Sequence, residues 1–237
     1  MNLFPYEPTR NLLPFDGIAN YYGPILTSCE AQDYLEALLT TIPWRNDETV
    51  ICGKHVVTAR KVAWYGDSSY SYTYSRMTKV ALPWAKELRA LKRLVEEKAG
   101  CSFNSCLCNL YHDGSEGMGW HSDDEKALGN NTAIGSLSLG TERKFSFRHK
   151  RKSGCYPISI QLENGSLLVM KEAWHWGRVL TNNRLFERSS LGFLPAKNKI
   201  ACEHGNYPRL SACSKPAVPQ TNKRRTNMLL VKTRPYQ

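Results

Sequence analysis

The sequence of 237 residues lacks several features that would assign it to a protein class at once. It has no apolar run of the ~20 residues that a membrane-spanning helix needs, so we predict no membrane partner. Its first seven residues, Met-Asn-Leu-Phe-Pro-Tyr-Glu, have neither the basic nor the apolar segment of a secretory signal. The eight cysteines lack the paired spacing of a small disulfide scaffold. These absences predict an intracellular protein, in the nucleus, the cytoplasm or both, with reduced thiols.

Positive charge is abundant and unevenly placed. The formal net charge is +11, and residues 196–237 carry nine basic residues against one acidic residue, which accounts for +8 of it. A basic balance suits a polyanionic partner, and here most of the attraction would come from that stretch. We predict that residues 196–237 form a basic, disordered tail and that the protein is a monomer.

The rest of the chain reads as mainly β with flanking helices. Apolar positions predict one helix from an N-cap at Ser28 to about Leu39, within an extension over residues 1–45, and a second from Pro83 to a stop at Gly100. From residue 103 to about 193, short apolar segments alternate with Gly, Asn and Asp turns, as in an antiparallel double-sheet jelly roll. The strands predicted there are Asn104–Tyr111, Ala133–Leu139, Lys144–Arg148, Ile158–Leu162 and Ser166–Met170.

His121 and Asp123 stand in H-x-D spacing. Residues two apart in a strand point to the same face, so the imidazole and the carboxylate can aim at one point. They would be two of the three ligands of a 2-His-1-carboxylate Fe(II) site, which leaves positions open for a co-substrate and O2. Asn109 and Tyr111 share a face by the same rule and can hold a carboxylate by hydrogen bonds. In an H-x-D tripeptide taken alone, however, the His and the Asp are more often ordinary surface or turn residues than metal ligands.

The residues around this tripeptide narrow the choice. Residues 109–125 read N-L-Y-H-D-G-S-E-G-M-G-W-H-S-D-D-E. They resemble the AlkB family of Fe(II)/2-oxoglutarate dioxygenases, whose pattern there is N-x-Y, a D-G turn and H-x-D-[DE]-E, and which remove alkyl groups from nucleic-acid bases. The resemblance covers about residues 45–175 and is closest to the animal DNA-repair members. It also includes A-R-K-V-A-W-Y-G-D (59–67), Y-T-Y-S (72–75), I-G-S-L-S-L-G (134–140), F-S-F-R-H-K (145–150) and E-N-G-S-L-L-V-M (163–170).

The resemblance implies a double-stranded β-helix, or jelly-roll, core within a domain over residues 46–195 whose open end holds the iron. Its cofactors would be Fe(II), the co-substrate 2-oxoglutarate and O2. The metal ligands would be His121, Asp123 and a third histidine. The family reads H-W-x-H-x-[LV]-P near that third position, whereas this chain reads W-H-W-G-R-V-L over 174–180. If the family's tryptophan is matched to Trp176, the ligand position falls near Gly177; if His175 is matched directly, His175 is the ligand, and we favour this second match.

The family then has R-x-N-x-T-x-R, whose arginines bind the carboxylates of 2-oxoglutarate. Residues 187–194 of this chain read E-R-S-S-L-G-F-L. Arg188 matches the first arginine and joins Asn109 and Tyr111 as a predicted 2-oxoglutarate ligand. Ser190, Gly192 and Leu194 stand where the family has Asn, Thr and Arg, which puts turnover in question.

A nucleotide-recognition lid is implied at about residues 48–80. Residues 50–54 lie where relatives that act on duplex DNA carry a finger with a bulky apolar wedge. Cys52 is small, so we favour single-stranded DNA or RNA over duplex. The basic run at 148–152 would contact phosphates or form a solvated hairpin tip, and acids beside the iron would favour cationic bases. The substrate-binding residues implied are Tyr72, Tyr74, Ser75, Asp124, Glu125, Arg148 and Lys150.

The sequence therefore predicts oxidative demethylation of 1-methyladenine and 3-methylcytosine in DNA or RNA, a direct-reversal repair. A second hypothesis is a catalytically impaired nucleic-acid-binding protein, favoured by the altered arginine motif and by the basic tail. A third is an oxygenase of the same kind that acts on RNA or on protein. Binding of iron and 2-oxoglutarate separates the first from the second, and a substrate panel separates the first from the third.

Overall fold

The structure is a computed structural model. The residues it describes are 6–51, 54–67, 71–74, 77–122, 133–151, 155–173, 175–181 and 227–230, with the backbone alone at 49–51, 71–74, 77–79, 181 and 227–230. All of them belong to one compact unit, Met1–Asn183 with Arg224–Gln237. A second unit, Arg184–Lys223, lies wholly outside the described residues.

The described chain is mostly β-strand with two helices. In chain order, the elements are β1 (Ile18–Pro24), α1 (Ser28–Thr41), β2 (Arg45–Ile51), β3 (Lys54–Gly66), β4 (Ser71–Tyr74), β5 (Met77–Val80), β6 (Leu82–Pro83), α2 (Lys86–Ala99), β7 (Ser105–Tyr111), β8 (Met118–His121), β9 (Ala133–Gly140), β10 (Arg143–His149), β11 (Ile158–Leu162), β12 (Ser166–Lys171), β13 (Trp176–Thr181) and β14 (Asn227–Leu230).

These strands form two main sheets. The larger sheet has the order β1-β12-β9-β14-β7-β3-β2, with β6 added in parallel beside β3. The smaller sheet has the order β11-β10-β13-β8, and β4 pairs with β5 in a separate ribbon. All other pairs are antiparallel. This is the double-sheet jelly roll that the spacing of apolar segments and turns predicted.

Two apolar cores follow from the alternation of side chains along the strands. One lies between the two helices and the larger sheet, and its members include Leu35, Leu91 and Leu137. Gly135 lets α2 approach β9, because a Cβ there would lie 2.8 Å from Val95 Cγ1. The second core lies between the two sheets and contains Tyr111. The candidate site borders this second core.

The helices form where predicted but begin differently. Thr27, not Ser28, caps α1: its hydroxyl accepts from the Glu30 N–H at 3.2 Å, and its own N–H donates to the Glu30 carboxylate at 2.8 Å. The prediction that Pro83 starts the second helix is wrong, because Pro83 belongs to β6 and α2 starts at Lys86. Gly100 ends α2 as predicted, in the left-handed conformation with φ of 65°.

All five strands predicted between residues 103 and 193 are present, with ends that differ by one residue at most. The strands β1, β6, β13 and β14 were not predicted, and β8 was expected only from the H-x-D spacing at His121. Asn227–Leu230 lie in the stretch predicted as a disordered tail, and the structure instead makes them a strand between β7 and β9. For the rest of residues 196–237, outside the described residues, the tail remains a prediction.

Neither helix in the described part of the chain offers an apolar stretch that would span a lipid bilayer, and each is 14 residues long. Five of the eight cysteines are described, and these five are free thiols: Cys29, Cys101, Cys106, Cys108 and Cys155.

Candidate active site

The end of β7 brings the two predicted carboxylate-binding residues into the space between the sheets. Asn109 is 5% exposed and Tyr111 is fully buried. The two residues share a face of β7, and Tyr111 packs in the core between the sheets. The Tyr111 hydroxyl makes no hydrogen bond of ordinary geometry with a described residue, although the Arg60 side chain lies close enough to lower its pKa. A buried hydroxyl in that position is suited to bind a ligand oxygen.

Arg60, on β3, lies beside this pair. Its Nη1 donates to Asn109 Oδ1 at 2.9 Å and also approaches Met118 Sδ, on β8, at 3.5 Å. Its Nη2 donates to the Asp47 carboxylate, and the side chains of Arg60 and Asp47 are only 10% and 18% exposed. Arg60 thus crosses from the larger sheet to the smaller one at the site.

Arg143, on β10, covers the other side of Tyr111. Its Cζ lies 4.6 Å from the centre of the Tyr111 ring. Its Nη groups donate to the carbonyls of Asp113, at 3.5 Å, and Glu116, in the turn between β7 and β8. Burial raises the pKa of Tyr111, and the positive charges of Arg60 and Arg143 oppose that rise. These charges make the surroundings of Tyr111 favourable for an anion.

His121 ends β8 with a defined ring orientation. Its Nδ1 lies 2.9 Å from the Gly119 carbonyl oxygen, which can only accept, so Nδ1 carries the proton. Nε2 then carries no proton and is available to bind a metal, an arrangement common among histidine ligands. The strand partner of His121 is Arg178, on β13, and paired residues point to the same face. Arg178 is 3% exposed and reaches Met170 Sδ, on the larger sheet, at 3.3 Å, so His121 also faces the space between the sheets.

His175 lies immediately before β13. Its carbonyl accepts from the Lys150 N–H at 2.9 Å, and its ring stacks on that of His149 with 6.2 Å between centres. His149 is itself fixed, since its Nδ1 accepts from the Arg151 N–H at 3.3 Å and its Nε2 lies 3.1 Å from the Asp16 carboxylate. His175 is therefore held against an ordered histidine at the end of the smaller sheet.

The outer face of the smaller sheet presents an exposed aromatic and a cation. The Arg148 guanidinium lies 4.3 Å from the centre of the Trp120 ring, and Trp120 is 41% exposed. Lys150, next to the end of β10, is also exposed. These two basic residues were predicted to bind substrate, and the structure places both at the surface.

The remaining predicted site residues are described by their backbone alone or lie outside the described residues. Tyr72 and Tyr74 lie in β4, paired with Lys79 and Met77, and only their backbone is described. Across the part of the chain with described side chains, no three His, Cys, Asp or Glu residues form a group that could hold a metal ion. The predicted triad is not tested by this, because one of its members is outside. The residues predicted for the site that lie outside the described residues are Ser75, Asp123, Asp124, Glu125 and Arg188.

The sequence did not predict the buried arginines of the site. Arg143 alternates with Phe145 and Phe147, both buried, so it occupies an inward position of an otherwise apolar strand. That alternation was a usable signal for Arg143. Arg60 lies inside the A-R-K-V-A-W-Y-G-D segment, where the pattern of residue types does not separate it from the neighbouring Lys61.

Comparisons with known proteins agree with this geometry. A model of the 2OG-Fe(II) oxygenase superfamily matches residues 19–180. Alpha-ketoglutarate-dependent dioxygenase alkB homolog 3 of Homo sapiens is 40% identical over 152 residues, which are 61% of this chain and 52% of that protein. DNA oxidative demethylase ALKBH2 of Mus musculus is 36% identical over 207 residues, which are 81% of this chain and 87% of that protein. The chain spans about half the length of the alkB homolog 3 proteins it matches.

Solved structures show the same fold. The structure of OsALKBH1 superposes with a TM-score of 0.53 at 11% sequence identity. The match covers 94% of this chain and 98% of the OsALKBH1 chain. A prolyl hydroxylase from Trichoplax adhaerens, in complex with a peptide fragment of hypoxia inducible factor, has a TM-score of 0.51 at 10% identity, with 91% and 83% covered. Both the family model and the curated relatives place this jelly roll in one group: the chain belongs to the 2OG-Fe(II) oxygenase superfamily and, within it, to the AlkB family.

Proposed function

We propose that this protein catalyses Fe(II)- and 2-oxoglutarate-dependent oxidative demethylation of 1-methyladenine and 3-methylcytosine in single-stranded DNA or RNA. The observation that carries the proposal is that Asn109 and the buried Tyr111 hydroxyl share a face of β7 beside Arg60 and Arg143, in a space that His121 also faces. Names of the relatives support the reaction class, since they include dioxygenases and DNA oxidative demethylases.

Iron would be bound by His121, Asp123 and His175. The Nδ1 proton of His121 leaves Nε2 for the metal. His175 precedes Arg178, the strand partner of His121, by three residues, and Asp123 follows His121 by two residues in the sequence. When bound, iron, 2-oxoglutarate and O2 would together supply the oxidant that hydroxylates the N-methyl group, which then leaves as formaldehyde, while 2-oxoglutarate becomes succinate and CO2. The protein's part is to position the base and to exclude water.

Asn109 and Tyr111 would hold a carboxylate of 2-oxoglutarate together with an arginine. Arg188 is the first candidate for that arginine. The position of β14 offers a second, because Leu229 pairs with Asn109 and Asn227 with Tyr111. The residues that lead into β14 read Arg225-Thr226-Asn227, which match the R-x-N that opens the family motif. Separate Arg188→Ala and Arg225→Ala variants would identify the ligand, since only the correct one weakens 2-oxoglutarate binding.

The nucleic acid would be held by residues outside the iron site. Arg148 and Lys150 would contact phosphates, Tyr72, Tyr74 and Ser75 would cover an extruded base, and Asp124 with Glu125 would favour the cationic, methylated bases. Methylated bases pair poorly, which lowers the cost of extrusion. The intracellular location, the monomeric state and the preference for single strands remain predictions.

The test is release of succinate and formaldehyde from a methylated single-stranded oligonucleotide with Fe(II), 2-oxoglutarate and ascorbate. His121→Ala is the control, and His175→Ala is assayed beside it. We expect equimolar release by the wild type and none by either variant. Oligonucleotide binding without release by the wild type would instead favour the catalytically impaired binding protein.

A further inference from the structure

A partly buried ion pair lies behind Asn109. Asp47 and Arg60 are the most enclosed carboxylate and guanidinium pair given by the described residues, at 18% and 10% side-chain exposure. Removing two charges from water is costly even when they pair. Neither residue is among the proposed ligands of iron, 2-oxoglutarate or the base. The contact of Arg60 with Asn109 indicates that this ion pair positions the Asn109 side chain.

The pair is placed by an irregularity in the β2–β3 hairpin. Asn46 pairs with Lys61 but Glu48 pairs with Val57, so Asp47 lies opposite extra residues of β3. Thr58 fixes this bulge, because its hydroxyl donates to the Arg60 carbonyl at 2.9 Å and its own carbonyl accepts from Asn46 Nδ2 at 2.8 Å. Bulges redirect side chains and are frequent next to active sites. Here the bulge brings Asp47 and Arg60 together below β7.

The guanidinium then determines the orientation of the Asn109 amide. Arg60 can only donate, so the atom of Asn109 that faces it at 2.9 Å must be the carbonyl oxygen. The NH2 group is consequently the opposite branch of the amide. A carboxylate ligand needs donors, and a flipped amide would present an oxygen to it instead. The other terminal nitrogen of Arg60, Nη2, donates to the Asp47 carboxylate, which keeps the guanidinium in place for this role.

We infer that Asp47 and Arg60 are positioning residues that hold Asn109 with its NH2 group toward a carboxylate, and that they thereby set both the affinity and the selectivity for 2-oxoglutarate. This inference rests on the proposed function. It assigns the carboxylate preference of the site to a pair of residues that lie behind the ligand-binding side chains.

The test measures, by calorimetry, the affinity of the protein for 2-oxoglutarate and for each of its two monoamides. Mn(II) replaces iron, so that binding is measured without any reaction. In the wild type we expect 2-oxoglutarate to bind about tenfold or more tightly than the monoamide altered at the end held by Asn109. In Arg60→Met the amide is free to flip, so the preference falls to about twofold or less. Asp47→Asn should lower the preference partway, and the Asp47→Asn/Arg60→Met double variant should equal Arg60→Met, because both residues act through Asn109.

Arg89→Met is the matched control, since Arg89 is exposed on α2 and the change is chemically the same. General loosening of the site would weaken all three ligands equally and leave their ratio unchanged, which would overturn the inference. Should Arg60→Met not fold, Asp47→Asn alone gives the readout, because it releases the guanidinium of Arg60 from its carboxylate partner without removing the guanidinium. If the wild type binds no 2-oxoglutarate, the proposed function fails; if it binds and the ratio is unaffected by Arg60, only the positioning role fails.

Discussion

Tyr111 combines a ring in contact with a cation and a buried hydroxyl. Its ring is held by the Arg143 guanidinium, while its hydroxyl makes no hydrogen bond of ordinary geometry with a described residue. A buried, unsatisfied hydroxyl costs about 1–3 kcal/mol, and a hydrogen bond to a charged group contributes about 1.5–3 kcal/mol. A carboxylate ligand would therefore provide the charged partner that no described residue provides in ordinary hydrogen-bond geometry.

We predict that Tyr111→Phe weakens 2-oxoglutarate binding about tenfold or more without lowering the melting temperature. The substitution removes the hydroxyl that would donate to the ligand, and no described residue makes a hydrogen bond of ordinary geometry with that hydroxyl. Calorimetric titration and thermal unfolding measure the two effects. Tyr65→Phe is the control, because Tyr65 is equally buried but lies in the core beneath the helices. A lower melting temperature with unchanged affinity would make the hydroxyl structural only.

At the residue scale the sequence predicted which side chains lie together wherever that depends on alternation along one strand. Asn109 and Tyr111 were found because a period of two places them together. Arg60 was not found, since its function depends on contacts with Asp47 and Asn109 from two other strands. Charged side chains are expected at the surface unless they are paired, and pairing across strands is not visible in a linear pattern.

Among the elements, α1 depends on a reciprocal cap that α2 lacks. The pKa of Glu30 is lowered by hydrogen bonds from the backbone and the hydroxyl of Thr27. A carboxyl with a lowered folded pKa stabilises the fold above its unfolded value, near 4.5, and the contribution is lost as the pH falls through the folded value. The helix should therefore be most secure at neutral pH.

We predict that Glu30→Gln unfolds at a lower temperature than the wild type at neutral pH, and that the difference closes as the pH is lowered to about 3. Glu87→Gln is the control, because Glu87 also lies in the first turn of a helix but Ala85, the N-cap of α2, makes no side-chain cap. Thermal unfolding across a pH series measures both variants. A gap for Glu30→Gln that persisted at low pH would mean that the carboxylate is not the stabilising form.

β14 is the central strand of the larger sheet, and both of its neighbours lie far from it in the sequence. Its residues pair on one side with β7 and on the other with β9. Proline removes a ladder hydrogen bond and is not tolerated in the centre of a sheet. Leu229→Pro should lower the free energy of unfolding by about 3 kcal/mol or more, whereas Leu229→Val should be tolerated. Chemical denaturation measures both, and an unaffected Leu229→Pro protein would remove β14 from the sheet.

The elements found from sequence are those with a strong local pattern. The strands between residues 133 and 171 were predicted because apolar residues are bounded by turn residues. β8, with the sequence Met-Gly-Trp-His, has no alternation and is specified by its pairing with β13. β14 was missed because a basic surrounding composition suggested disorder, while its strand character depends on two partners from elsewhere in the chain.

For the whole molecule, the distribution of charge is the main determinant of how it would meet nucleic acid. Most of the net positive charge lies after residue 195. Each phosphate contact to a single strand contributes about 0.7 to the slope of log affinity against log salt. A variant with Lys197, Lys199, Arg209 and Lys215 changed to Gln should have a slope smaller by up to about 3, with an unchanged melting temperature. Fluorescence anisotropy at several salt concentrations measures it, and an equal slope would exclude these residues from binding.

The position of β14 also has a consequence for folding during synthesis on the ribosome. Gly140 of β9 and its partner Asn227 are 87 residues apart in the chain. At ordinary rates of translation, on the order of ten seconds pass between their synthesis. Throughout that interval a strand-wide gap separates β7 from β9, and its two edges are open to other strands. The nascent chain on the ribosome therefore has a defined vulnerable period, in which chaperones or neighbouring nascent chains compete for the place that its last residues will fill.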